Sequence, residues 1–166
     1  MKTTLKLFSL LFIGLLIGCG GKEEKKKEGF SYDKKAPTTQ QAAPAVKELP
    51  STKIDLTNKG VGPITSLELG SEIDQAMVAK GQEIYNKMCT ACHRPDKKFI
   101  GPAPKGIMER RSPEWIMNMI LNPEEMIQKD PLAKELLVEF NGAPMANQNL
   151  TQEEARAVLE YFRTLK

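Results

Sequence analysis

Cys89-Thr90-Ala91-Cys92-His93 is the stretch on which the fold turns. It reads C-x-x-C-H, the attachment signature in which two thiols form thioether bonds to haem vinyls and the adjacent His becomes an axial iron ligand. Two cysteines three apart on one helical turn point the same way, so both catch one porphyrin edge, and the histidine is then held under the iron. Zinc is short of ligands, because it needs four N or S donors and the chain has no other His and only one other Cys, Cys19. A thioredoxin-like pair would follow a strand in a βαβ setting, whereas a helical pattern precedes Cys89 and no parallel-strand candidates alternate with helices.

Working outward, Ile73, Met77, Val78, Gly81, Ile84, Tyr85 and Met88 follow 3, 4 and 7 spacings and predict an amphipathic helix running from about Glu72 into the motif. Ser112 as N-cap with Pro113 at the first helical position starts a second helix, which Asn122-Pro123 breaks or renews. Asp130-Pro131 repeats that signal, and Asn141-Gly142 ends the segment it opens. Thr151-Gln152-Glu153-Glu154 is a capping box, followed by Ala155, Val158, Leu159, Phe162 and Leu165 on one face. No convincing strand appears, so the expected fold class is all-α.

This order of parts resembles the small class I cytochromes c over about residues 72 to 166. The resemblance implies a small cytochrome c fold around one covalently attached haem c, with Cys89 and Cys92 as thioether residues and His93 as proximal ligand. Gly81 and Tyr85 match the positions where the family's first and last helices cross, with Val158 and Tyr161 opposite. Gly101-Pro102 matches the Gly-Pro pair whose proline carbonyl accepts a hydrogen bond from the proximal imidazole. Two residues further on, Pro104 stands where many relatives carry Leu. Among the methionines, Met77, Met88, Met117, Met119 and Met126 lie in helical pattern, as core fillers do, and Met108 lies in a basic loop. Met145 stands in the loop Asn141 to Ala146 after Pro144 and matches the ligand position, so the expected iron ligands are His93 and Met145. Trp115, Arg110 and Arg111 are candidates for the haem propionates, since an indole N–H and a guanidinium both suit a carboxylate; core packing and solvation are their other reading.

The N-terminal part reads differently. Lys2 and Lys6, an apolar run from Leu7 to Ile17 and Leu16-Ile17-Gly18-Cys19 form a secretory signal resembling the bacterial lipobox, with Cys19 lipidated. The run is short for a membrane span of about 20 residues. Gly20 to about Pro50 is rich in Lys, Glu, Pro, Ala, Thr and Gln, too polar to offset ordering entropy, and reads as a disordered tether with a reach of roughly 40 Å. Lys22-Glu23-Glu24 resembles the surface-export signal of some Bacteroidetes lipoproteins. Ile54 to Gly70 is too broken by Asn58, Gly60, Gly62 and Pro63 for a helix, and is an arm on the domain or the end of the tether. The expected organisation is a lipoprotein signal peptide at 1–18, anchor and tether at 19–71, and the haem domain at 72–166.

The net charge of +3 hides an asymmetry. Residues 1–71 hold 11 Lys and Arg against 7 Asp and Glu, a balance of +4, while residues 72–166 hold 13 against 14, a balance of −1. The basic excess sits in leader and tether, so nucleic acid is not an expected partner. Within the domain, Lys87, Arg94, Lys97, Lys98, Lys105, Arg110 and Arg111 crowd around the motif, which would steer acidic redox partners. The expectation is a monomeric, lipid-anchored electron carrier, not an enzyme, serving respiratory-chain partners from the bacterial cell envelope and facing the periplasm, with the cell surface as the other destination. The rival is a haem-based gas sensor or peroxidase-like enzyme with an open or displaceable sixth ligand; against it, no second His supplies distal acid–base chemistry.

Overall fold

Three of the helix-start signals do what their chemistry predicts. The Ser112 hydroxyl accepts from the N–H of Trp115 and the Asp130 carboxylate from that of Ala133, each satisfying a donor the first helical turn leaves open. Thr151 and Glu154 close a reciprocal capping box. The computed structural model describes residues 48–166; the leader, Cys19 and the Lys-, Glu- and Pro-rich segment as far as residue 47 lie outside the described residues. The helices are α1 (Gln75–Met88), α2 (Pro113–Leu121), α3 (Pro123–Lys129), α4 (Pro131–Glu139) and α5 (Gln152–Phe162), with one 3-10 turn at Ile107–Glu109. Among the described residues there is no strand, only an isolated bridge between Asp55 and Arg111, and no helix long and apolar enough to cross a membrane.

The helix before the motif starts at Gln75, three residues after Glu72, because Asp74 caps it by accepting from the N–H groups of Ala76 and Met77. Asn122-Pro123 renews rather than ends the helical run, Pro123 being the first residue of α3. After α4 the chain turns through left-handed backbone at Asn141 (φ 58°) and Gly142 (φ 73°), where the Gly142 N–H reaches the Leu137 carbonyl at 2.8 Å.

Helices α1 and α5 cross at Gly81. A Cβ there would lie 2.0 Å from the Ala157 carbonyl oxygen, so only glycine lets the two backbones approach this closely. One turn on, Tyr85 packs its ring against Tyr161 (centroids 5.4 Å apart) and edge-on to Phe162 (5.8 Å). Across the same joint, the fully buried Glu160 accepts from the Asp74 N–H and pairs with Arg156 and Arg163.

Residues 48–71 belong to this domain rather than to a tether, so the domain begins at least 24 residues before position 72. The arm has no regular structure, and much of its backbone is satisfied by side chains. Buried Asn118 of α2 accepts from the Ile64 N–H and donates to the carbonyls of Ile64 and Lys59, all at 2.9 Å. Ile64 joins the core, and Gly62 passes so close that a Cβ would meet the Asn118 amide at 2.5 Å. Apolar periodicity could not show this, because the arm is neither helix nor strand.

Candidate functional site

Helix α1 ends at Met88, and one further turn carries the motif: the Cys89 carbonyl accepts from the N–H groups of Cys92 (3.1 Å) and His93 (2.9 Å). Cys89 is half-buried and Cys92 exposed, so the pair spans the boundary between interior and solvent. Burial, and then the neighbouring Cys92, push the Cys89 thiol up to about 11. That is opposite to the electropositive setting that activates redox dithiols. Among the described residues no group of three or more His, Cys, Asp or Glu comes together, so the zinc reading finds no site there.

His93 is oriented by the loop on its C-terminal side. Its Nδ1 lies 2.8 Å from the Pro102 carbonyl oxygen, and since a carbonyl only accepts, Nδ1 carries the proton and Nε2 keeps its lone pair for a metal. Gly101 makes the approach possible, because a Cβ there would lie 2.5 Å from the imidazole Cε1. The Gly101 N–H bonds back to the Cys92 carbonyl at 2.9 Å and closes the loop.

These residues line one cavity, walled by Tyr85 and Met88 of α1, Trp115, Ile116, Met119 and Ile120 of α2, Leu136 and Leu137 of α4, and Val158 and Phe162 of α5. The loop Ala143–Ala146 completes it and brings Met145, half-buried, to the same space as His93. Of the other methionines among the described residues, only Met88 and Met119 reach this lining. Met117 and Met126 are core residues, the Met126 sulfur accepting from the Val61 N–H at 3.0 Å. The Tyr85 hydroxyl is buried against this cavity without a described partner, and burial, with Cys89 next, raises it to about 12. The departure at position 104 is accommodated: Pro104 is buried and lines the same cavity.

The candidates for carboxylate binding separate. Trp115 is corrected: its single N–H donates to Asp130 Oδ1 at 3.1 Å, so its ring walls the cavity but its donor is already used. The same carboxylate caps α4 and accepts from Asn58, a demand that Asp130-Pro131 as a helix start did not reveal. Arg110 and Arg111 both line the cavity. Arg110 donates to the carbonyls of Ala103 and Lys105; Arg111, only 3% exposed, donates to those of Pro50, Lys53 and Arg110. Neither forms an ion pair with a described carboxylate. Two adjacent guanidiniums line an apolar space without a direct ion pair, and burial lowers the pKa of both. Two thiols, an imidazole with a free Nε2, a thioether, apolar walls and unpaired cations therefore fit a flat apolar macrocycle bearing iron and edge carboxylates. Among the wall residues that escaped the sequence reading is Ser51, which nothing marks as distinct within a polar stretch.

The fold and this cavity define a helical protein with covalently held haem. The cytochrome c family model matches residues 78–166, and the chain belongs to that family, whose cofactor is covalent haem c with iron and whose general role is electron transfer. Among solved structures it is similar to a cytochrome c from Rhodothermus marinus, with 46% identity and a TM-score of 0.61 over 63% of this chain and 89% of that one. It is also similar to an engineered form of that cytochrome (45% identity, TM-score 0.60, 63% and 90% covered) and to an engineered form bound to a carbene intermediate (45%, 0.58, 63% and 89%). No curated protein matches the chain.

Proposed function

We propose that the protein is a membrane-tethered monohaem cytochrome that carries single electrons between respiratory-chain partners, with His93 and Met145 as the residues that would hold the iron. The observation that carries this reading is the shared cavity: His93, its Nδ1 bonded to the Pro102 carbonyl, and Met145 line it together with Cys89 and Cys92. Haem bound there supplies a one-electron iron couple. His93 offers Nε2 from one loop and Met145 a soft neutral sulfur from another, and a Met ligand favours the ferrous state. With both positions filled by the chain, substrates do not reach iron, which leaves outer-sphere transfer and no enzymatic turnover. Arg110 and Arg111 are the groups suited to the haem carboxylates.

Exposed Cys92 marks the edge for partner contact, flanked in sequence by Lys87, Lys97, Lys98 and Lys105, all exposed, and by half-buried Arg94 stacked 4.2 Å over the Phe99 ring. Such a rim suits a partner with an acidic docking surface. Leu16-Ile17-Gly18-Cys19 supports a lipid anchor at Cys19, which would hold the protein in the bacterial cell envelope, facing the periplasm or, through Lys22-Glu23-Glu24, the cell surface.

Ferric spectra of wild type and Met145→Ala test the ligand assignment. The wild type is expected to show the Met-to-iron charge-transfer band and the variant to lose it, while its ferrous form gains carbon monoxide binding. A band unchanged by the substitution overturns the Met145 assignment. Rapid carbon monoxide binding by the untouched ferrous protein would instead favour a gas sensor or a peroxidase-like enzyme. Loss of Cys19→Ser from the membrane fraction is the expected result for the anchor.

A further inference from the structure

We propose that the turn at Pro50 to Lys53 is a positioning element for the haem: it holds Arg111 against the cavity and thereby sets the charge that the haem carboxylates meet. The proposal rests on the haem reading above and concerns residues ahead of the matched family region, which starts at residue 78.

Arg111 is a cation with almost no access to water. Its guanidinium donates to the Pro50 carbonyl at 2.6 Å, to the Arg110 carbonyl at 2.8 Å and to the Lys53 carbonyl, and lies 5.3 Å from the centre of the Trp115 ring. Two of those three acceptors come from the arm. Carbonyl dipoles orient the group, and the charges of Asp55, Asp130 and Glu139 reach it without a direct ion pair, so it lines the cavity beside Arg110 with its guanidinium unpaired. Haem carries two carboxylates, which would supply the direct ion pair this arrangement lacks.

The turn is fastened independently of Arg111. The N–H groups of Thr52 and Lys53 reach the Leu49 carbonyl at 2.9 and 3.0 Å. The N–H and hydroxyl of Ser51, a wall residue of the cavity, donate to the Glu139 carboxylate at 2.7 and 2.5 Å. Glu139 itself is absent from that wall. The Asp55 N–H bonds to the Arg110 carbonyl at 2.9 Å and ties the arm to the chain carrying both arginines. Release of the turn would take two acceptors from Arg111, let the guanidinium swing toward water and open the wall at Ser51.

Glu139→Ala and Glu139→Gln in the full, haem-loaded chain separate this role from simple charge. Both remove the same negative charge, but Gln keeps an oxygen that accepts from Ser51. The expected result is a lower reduction potential for Glu139→Ala than for Glu139→Gln, because water entry and retreat of Arg111 both favour ferric iron, together with faster amide exchange at Ser51 in the alanine variant. Equal potentials overturn the proposal. In an Arg111→Gln background the difference is expected to shrink to the part due to water entry, and its survival in full overturns the part given to Arg111. Should Arg111→Gln fail to fold, Arg111→Lys serves, since lysine keeps the charge without bridging three carbonyls. Failure of the haem reading shows separately, as the absence of a thioether-linked haem spectrum in the wild type.

Discussion

Gly81 is the residue at which the fold has least freedom. The atom an added Cβ would strike, the Ala157 carbonyl oxygen at 2.0 Å, belongs to a helix backbone and has no rotamer to escape into. Gly81→Ala must therefore push α1 off α5, and the expected cost is about 3 kcal/mol, the upper part of the range for overpacking. It is read as a lowered thermal midpoint of the holoprotein. Gly101 is the equivalent at the site: alanine there would collide with the imidazole and break the 2.8 Å bond from Nδ1 to the Pro102 carbonyl. His93 would lose its fixed orientation, which predicts a shifted reduction potential for Gly101→Ala with thioether attachment retained.

At the scale of elements, one buried carboxylate and one buried amide hold the helices and the arm. Burial alone would raise the Glu160 pKa, but hydrogen bonds from Arg156 and the Asp74 N–H, with the charges of Arg156 and Arg163, outweigh it and hold the group below the ordinary glutamate value. A depressed folded pKa contributes stability that is present above the unfolded value of about 4.3 and is lost as pH falls through the folded value. Glu160→Gln should thus cost about 3 kcal/mol at neutral pH, with the gap to wild type closing as pH drops below about 4; urea melts across that range check it. Asn118 does for the arm what Glu160 does for the joint of α1 and α5. Asn118→Ala strands the Ile64 N–H and carbonyl, an expected loss of about 1–3 kcal/mol with faster amide exchange at Ile64.

The whole molecule is electrically lopsided. Residues 48–166 hold 15 Lys and Arg against 17 Asp and Glu, a net of −2, yet exposed Lys87, Lys97, Lys98 and Lys105 flank Cys92 in sequence. Seven basic residues crowd this stretch in sequence, but Arg111 is buried and Arg110 half-buried with its donors turned to carbonyls. The lysines that remain exposed predict a second-order rate with an acidic redox partner that falls as salt rises. Lys97→Glu with Lys98→Glu is expected to lower that rate by about tenfold at low salt and to flatten its salt dependence; stopped-flow kinetics at several ionic strengths read both.

Much of this was legible in one dimension because its causes are local. C-x-x-C-H is a contiguous covalent signature, Ser112, Asp130 and Thr151 satisfy donors within three residues of themselves, and helical spacing marks the faces that α1 and α5 bury. Gly101-Pro102 and Met145 were readable by their place in the order of parts. The arm was not, because its backbone is satisfied by Asn118, 54 residues away from Ile64, and no periodicity records so distant a partner. Nor could the sequence distinguish Trp115, whose N–H serves Asp130, from Arg111, whose guanidinium lines the cavity without a direct ion pair. By itself the chain determined its helices and the haem-attachment motif; only the tertiary structure decided which side chains still have donors free for a ligand, because that depends on partners brought together across long stretches of sequence.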